Sequence, residues 1–249
     1  MLSILTVNIG SAALARAERI LHWLQNRPED VFVLTETSSG AGTKLILDEF
    51  RKKGCVIASN DFVSKERGVA IVSKITTSND FSKAFTLATI PERVAALHVD
   101  KDGFQFDIIG LYVPSRNQQH DKIIKKQRFI ESFVRDIENI PREVLKRTII
   151  CGDYNVVSRD HFPRYGKFMA FEYDFLETLH NLSLIDAFTL RNPSAQEYSW
   201  VGRTGDGYCY DYFNVGEAIR AKVKACTFHH DTRDVQGLTD HSALGLYLS

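Results

Sequence analysis

RTIICGDYNVVSRD, residues 147–160, runs from an apolar segment into a polar cluster within a few positions. Thr148 to Cys151 read as a buried strand. That strand is followed at once by Gly152, Asp153, Tyr154 and Asn155. While a chain stays extended, residues i and i+2 face the same side. Asp153 and Asn155 would then aim an acceptor and an acceptor/donor at one spot from the edge of a sheet. Gly-Asp and Asn are also common turn residues, so a plain turn is the alternative.

The rest of the chain sets bounds on this reading. It has 249 residues, 44% hydrophobic and 25% charged, which suits a soluble globular protein. A chain of that length buries a sizeable core without disulfides or a structural metal. Lys plus Arg and Asp plus Glu both number 31, so a general polycation is excluded, while a local basic patch for nucleic acid is not. The four cysteines, Cys55, Cys151, Cys209 and Cys226, include no CxxC pair, so a zinc site is not expected. Such usage fits a reducing, cytoplasmic setting. The opening MLSILTVNIG lacks the basic start of a signal peptide and reads as a first core strand. No apolar run approaches the roughly 20 residues of a membrane-spanning helix.

A coarse pass gives a strand over residues 2–9, then a helix from Ala12 to about Asn26 capped by Ser11. DVFVLTET is a second buried strand and Thr43 to Lys53 a helix. CVIAS, GVAIVS, AFTLAT, RVAALHV and FQFDIIGLYVP are further strands. Helices are expected over 119–138 and from about 169 to 181, followed by four late strands in EYSWV, YCYDYFNV, AKVKACTFHH and SALGLYL. No linker, repeat or composition shift interrupts the order, so a single domain spanning residues 1–249 is expected. Strands outnumber helices without alternating with them, which predicts sheet packed on sheet with helices outside.

Several of these strands end in polar residues of one chemical kind: Asn8, Glu36, Tyr112, Asp153 with Asn155, Asp211, and the pair Asp240-His241. Singly, each has an ordinary alternative: a turn, a solvated surface group or a core tyrosine. Asp211 inside YCYDYF resists that treatment, because a carboxylate in an apolar strand needs a partner. The recurrence of the pattern points to one shared site.

The pieces TVNIG, VLTET, RGVAIVSK, GLYVPS, IICGDYNVV, YSW…YDYFNV and TDHSAL resemble, in order, the endonuclease/exonuclease/phosphatase superfamily of metal-dependent phosphodiesterases. They span Thr6 to Leu244, and GDYN and TDH are the strongest of them. The resemblance implies an α/β (α+β) four-layer sandwich, two packed, mainly antiparallel sheets flanked by helices. The nearest likeness is to the exonuclease III/AP endonuclease branch, through the LARAERI helix and NLSLIDAFTLRNPSAQEYSW. The chain departs from that branch at Thr35 and Thr37-Ser38 around Glu36, and at Tyr208-Cys209-Tyr210-Asp211, where no arginine precedes the aspartate.

A phosphodiester repels hydroxide, and a hard divalent cation offsets that charge and stabilises the leaving oxyanion. The resemblance implies Mg²⁺, with Mn²⁺ as a substitute, held by Glu36 with Asn8 and Asp240 in support. It implies Asp153 as general base, Asn155 as a positioning group and His241 as a donor to the phosphate. Asp211 would hold His241, and Tyr112 would assist the phosphate or the leaving group. Trp200, Tyr208 and Tyr210 fall where repair nucleases line an abasic-site pocket, with ordinary strand packing as the alternative. Lys65, Arg67, Arg116, Lys122, Lys125, Lys126 and Arg128 are candidates for phosphate contact, Arg116 foremost, or else a solvated face. The expected activity is hydrolysis of DNA, with no membrane and no obligate protein partner. The alternatives are another phosphoester, namely RNA, a nucleotide, a lipid headgroup or an inositol phosphate, and an inactive binding scaffold.

Overall fold

The computed structural model describes residues 1–60, 66–75, 77–78 and 89–249. The expected strand AFTLAT and the candidate Lys65 lie outside the described residues, but for Thr89. In chain order the first half carries β1 (Leu2–Asn8), α1 (Leu14–Gln25), β2 (Val31–Thr37), α2 (Ala41–Lys52), β3 (Val56–Ser59), β4 (Gly68–Ser73), β5 (Thr77–Ser78), β6 (Val94–Lys101) and β7 (Phe104–Tyr112). Next come α3 (His120–Glu138), α4 (Arg142–Leu145), β8 (Thr148–Asp153), α5 (Ala170–Asn181), β9 (Ile185–Asp186) and α6 (Ala187–Arg191). The chain closes with β10 (Trp200–Val201), β11 (Gly207–Tyr208), β12 (Asp211–Val215), α7 (Glu217–Arg220), β13 (Val223–His229), α8 (Asp231–Asp234) and β14 (Ala243–Leu248).

Among the described residues the strands form two six-stranded sheets, ordered β13-β14-β1-β2-β4-β3 and β5-β6-β7-β8-β12-β9, plus the small ribbon β10-β11. Pairing is antiparallel except for β1 with β2 and β7 with β8. The sheets face each other across Ile4, Val31, Val33, Ile71, Leu97, Ile108, Ile149 and Phe213. The alternate residues Leu5, Phe32, Leu34 and Val72 turn outward under α1 and α2. Ile109, Leu111, Ile150 and Tyr212 do the same under α3 and α5. Strands covered on both faces are apolar at every position, which is why VFVL and TIIC show no alternation. The four layers are therefore helix, sheet, sheet, helix, an α/β sandwich.

Some local expectations change. Ser11 does not cap α1. The N-cap position is Ala13, with no side-chain hydrogen bond, and Ser11 instead donates through both its backbone N–H and its Oγ to the carbonyl of Glu36 at 2.8 and 3.0 Å. YCYDYFNV is broken at Cys209-Tyr210 into β11 and β12, and EYSWV contributes only Trp200–Val201 as strand.

Topology brings the polar strand ends together. β1 and β2 are parallel, so Asn8 and the Glu36 turn lie at one edge. β7 and β8 are parallel with Tyr112 opposite Asp153, and antiparallel β12 begins with Asp211 opposite that same Asp153. β14 runs antiparallel to β1, so the segment just before it, carrying His241, returns to the same edge.

Candidate active site

The two sheets are joined at this edge by a hydrogen bond from Asn8 Nδ2 to Asp153 Oδ2, 2.9 Å. Asp153 ends β8 after Gly152, whose φ is +137° and whose absent Cβ would stand 2.1 Å from the Leu111 carbonyl oxygen. Only glycine fits there, because both the backbone angle and the space exclude a side chain. Asn155 does not continue the strand. It adopts φ 50°, and its N–H donates to Asp153 Oδ1 at 2.9 Å. The extended i, i+2 geometry is thus replaced by a side-chain-to-backbone turn, a conformation asparagine tolerates. The turn itself presents the site.

Glu36 also has a positive φ, 53°, at a register shift between Thr35 and Thr37 in the β2–β4 ladder. A left-handed non-glycine residue costs on the order of 1 kcal/mol, and the two Ser11 bonds to its carbonyl offset that cost. The bulge turns the carboxylate into a cleft. There Tyr112 donates to Oε1 at 2.8 Å and Arg67 is ion-paired with Oε2.

On the other side of Asp153 stands His241. Its Nδ1 is 2.8 Å from Asp211 Oδ2 and its Nε2 is 3.9 Å from Asp153 Oδ2. Asp153, Asp211 and His241 are 1%, 1% and 5% exposed, so each interaction acts in a low-dielectric setting. Burial alone would discharge the imidazole, but Asp211 and Asp153 outweigh it and hold His241 charged well above the usual range. Burial pushes the Asp153 carboxyl up, and the charges of Asp211 and Glu36 add to this while His241 opposes it. Asp240 is held below the usual carboxylate range, because His241 and the Trp200 indole N–H, 2.9 Å from Oδ2, outweigh its burial.

A cavity of about 300 Å³ opens over this edge. Glu36, Asn155, Asp240 and His241 line one part of it and Trp200, Phe168 and Tyr210 another. Tyr208 does not line it. It is 4% exposed and stacked between Tyr165 at 4.2 Å and Tyr210 at 5.2 Å, so it braces the aromatic wall from behind. Asn8 is also withdrawn: fully buried, it donates to Asp153 and accepts from the Gly10 N–H at 2.8 Å. Its amide is committed to holding Asp153.

The cavity holds residues that sequence reasoning did not single out. Phe168, Lys167 and Glu172 come from the loop before α5 and from its first turn. Glu172 accepts from the buried Lys126 at 2.6 Å and is also bonded by Arg116. Ser199, fully buried, accepts the N–H groups of Tyr210 and Asp211 at 2.9 and 3.2 Å, and its carbonyl accepts the Ser242 N–H at 2.7 Å. It therefore ties the segment carrying Asp211 to the one carrying His241.

The donor set bears on a metal. Asp153, Asp211 and His241 present atoms within 4.8 Å of one another. In that group His241 Nδ1 is committed to Asp211 at 2.8 Å, which leaves Nε2 as the ring's remaining polar atom. Glu36 and Asp240 are anionic oxygen donors on the cavity wall, which suits a hard cation. The Arg67 cation on Glu36 shows that this carboxylate draws positive charge.

The sequence matches the Endonuclease/Exonuclease/phosphatase family over residues 5–241. No curated protein matches it. Among solved structures, three similar ones are each covered 100%, as is this chain. The 3′ phosphatase NExo from Neisseria, bound to a product DNA hairpin, is 19% identical with a TM-score of 0.80. An AP endonuclease from Archaeoglobus fulgidus is 20% identical with a TM-score of 0.78. The 3′-5′ exonuclease NExo from Neisseria meningitidis is 21% identical with a TM-score of 0.81. Identities this low carry the fold and not the substrate. The family match nonetheless runs from β1 to His241, across every strand end that meets at the cleft, and so the chain belongs to the Endonuclease/Exonuclease/phosphatase family and is a phosphoesterase of it.

Proposed function

We propose that residues 1–249 act as one catalytic unit, a divalent-cation-dependent phosphodiesterase that cleaves DNA. The observation that carries this reading is the Asp211–His241–Asp153 row at the same edge as Glu36, beneath a cavity with an aromatic wall. Glu36 and Asp240 would hold a hard cation such as Mg²⁺, which would supply charge neutralisation for the phosphate and the departing oxygen. The chain's own residues do the rest. Asp153, fixed by Asn8 and the Asn155 N–H, takes the proton of the attacking water. The charged His241 donates from Nε2 to a phosphate oxygen and stabilises charge as it develops, and Asn155 supports the same group. Asp211 fixes the orientation and charge of His241. Tyr112, buried and held protonated by burial and by Glu36, keeps the Glu36 carboxylate aimed into the cleft.

The test is a rate comparison on abasic duplex, intact duplex, single-stranded DNA, RNA and small phosphoesters, each with Mg²⁺ and with chelator. Hydrolysis of DNA ahead of the other substrates supports the reading. A small phosphoester cleaved faster than any nucleic acid would overturn it. The net formal charge is zero, so duplex affinity must come from local cations such as Lys122 and Arg128. Subsaturating rates on DNA are therefore expected to fall steeply with salt, with a log–log slope near −0.9 per phosphate contact. A flat salt response would exclude a long duplex footprint.

Asp211→Asn is expected to lower kcat by about 10-fold and to move the basic limb of the pH–rate profile to lower pH. The active form carries a protonated His241, and activity is lost as pH rises through its pKa. Asp211 raises that pKa, so removing its charge brings the loss earlier. An unmoved basic limb would show that His241 does not set it.

Trp200→Ala should reduce discrimination between abasic and intact duplex, because the indole forms the cavity wall with Tyr210 and Phe168. A uniform fall on all substrates, with a lowered Tm, would mean that the ring only packs.

A further inference from the structure

The mechanism leaves one wall of the cavity unused. Arg116, Lys126 and Lys167 line it. The Arg116 and Lys126 side chains are 5% and 1% exposed, and both bond the same carboxylate, Glu172. Two buried positive charges therefore bond one carboxylate, with the Asp153 charge also acting on Lys126. Lys167 adds a third cation, partly offset by Asp206, 4.1 Å over the Tyr208 ring and 3.0 Å from its hydroxyl. An unbalanced interior charge is costly unless something completes it. The cost is visible at Lys126, which burial pulls down to about 8, with Arg116 adding to the shift.

These groups also keep donors in reserve. Lys126 spends two N–H groups, on the Asn155 carbonyl and Glu172, both at 2.6 Å, out of three. Among the described residues, Arg116 Nη1 makes only a long 3.4 Å contact to the Asn117 carbonyl. Both heads are held rigidly by Glu172 and backbone carbonyls, and Asn155 joins them to the reacting centre. A phosphate placed here meets charge-assisted donors that need no reorganisation.

We propose that Arg116, Lys126 and Lys167 form an anion subsite that takes a terminal phosphomonoester of the substrate, separate from the diester cleaved beside Asp153. A monoester carries about −1.5 to −2 at pH 7, so three cations lining one cavity wall attract it more strongly than the single charge of a diester. The Lys126–Glu172 pair forms the buried back of this wall, each side chain 1% exposed. The inference rests on the nucleic-acid reading for its substrate, but not for its anion site.

Two measurements test it. The first is calorimetric titration of the whole protein with inorganic phosphate in chelator, where no hydrolysis contributes. Lys167→Gln and Arg116→Gln should each weaken binding about 10-fold, while Lys224→Gln, at an exposed position of β13, should leave it within about 2-fold. Should Arg116→Gln fail to fold, the exposed Lys167 variant still decides. Phosphate binding that is absent, or that survives unchanged in the Arg116 and Lys167 variants, overturns the subsite. The second compares kcat/KM on matched oligonucleotides ending in a 5′-phosphate, a 3′-phosphate or hydroxyls only. Preference for one phosphorylated end, diminished in Lys167→Gln, supports a terminal monoester and identifies which end. Equal rates on all three overturn it. Phosphate binding through Arg116 and Lys167 with no hydrolysis of any nucleic acid keeps the subsite and removes the DNA reading.

Discussion

Asp153→Asn is expected to lower kcat by about 10²–10⁴-fold, the usual contribution of a positioned general base, with substrate binding largely kept. The carboxylate uses both oxygens: Oδ2 accepts from Asn8 Nδ2 and Oδ1 from the Asn155 N–H. An asparagine preserves one of these acceptors and turns an amide toward the other donor, so a loss of about 1–3 kcal/mol of stability should accompany the change. Thermal melts distinguish that loss from the catalytic one, because at working temperature most of the protein remains folded. The wild-type profile should show an acid limb above the ordinary aspartate range of about 3.9, since burial raises the Asp153 pKa and activity needs the ionised form. As pH falls through that raised pKa the base is protonated and the rate drops. In the variant this limb should vanish along with the rate. A variant that keeps both its rate and its acid limb would return Asp153 to the role of a turn residue.

The layers of the fold were legible because strands covered on two faces are apolar throughout, as in VFVL and TIIC, while α3 shows a 3.6-residue stripe through Phe129, Ile130, Phe133 and Ile137. The strand-end residues were legible because carboxylates and amides ending apolar runs need a reason. Their use was less so. No pattern in Asn8-Ile-Gly states that the amide turns inward to Asp153, and nothing in VLTET announces that Glu36 is bulged and left-handed. Both depend on contacts made across the sandwich. Tyr208 and Tyr210 are two apart and read as equivalent, yet the break in the strand between them puts one behind the wall and one on it. Lys126 occupies the apolar stripe of α3 three residues before Phe129, and Glu172 occupies that of α5 three before Phe175. Opposite charges on the buried faces of two helices announce a partner for each other.

That pair supports the second large expectation, that Glu172→Ala costs about 3–5 kcal/mol of stability. The change leaves Arg116 and Lys126 facing each other in the interior and removes the acceptor of the Met169 N–H at the start of α5. The Lys126 share has a ceiling. A lysine of ordinary pKa near 10.4 can surrender its proton at pH 7 for roughly 4–5 kcal/mol, at 1.36 per unit, so the protein need not tolerate a worse repulsion than that. The pH dependence follows with a definite sign. Lys126 already titrates near 8 when folded, and losing Glu172, which raises its pKa, moves that value lower. In both proteins the unfolded chain binds the proton more tightly, so stability rises with pH until the unfolded lysine titrates. By pH 9 Lys126 is mostly neutral in either fold, so part of the deficit closes. Urea unfolding at pH 7 and pH 9 should therefore show the gap between wild type and Glu172→Ala narrowing by about 1 kcal/mol or more. Glu172→Gln, which keeps acceptor oxygen but no charge, should fall between them. A gap below about 1 kcal/mol at pH 7 would mean that water reaches the two cations freely. The rigid floor required to hold a phosphate beside Asn155 would then be missing. A large gap that narrows at high pH would instead show that one glutamate keeps a charged wall dry enough for its donors to act on an anion in the cavity.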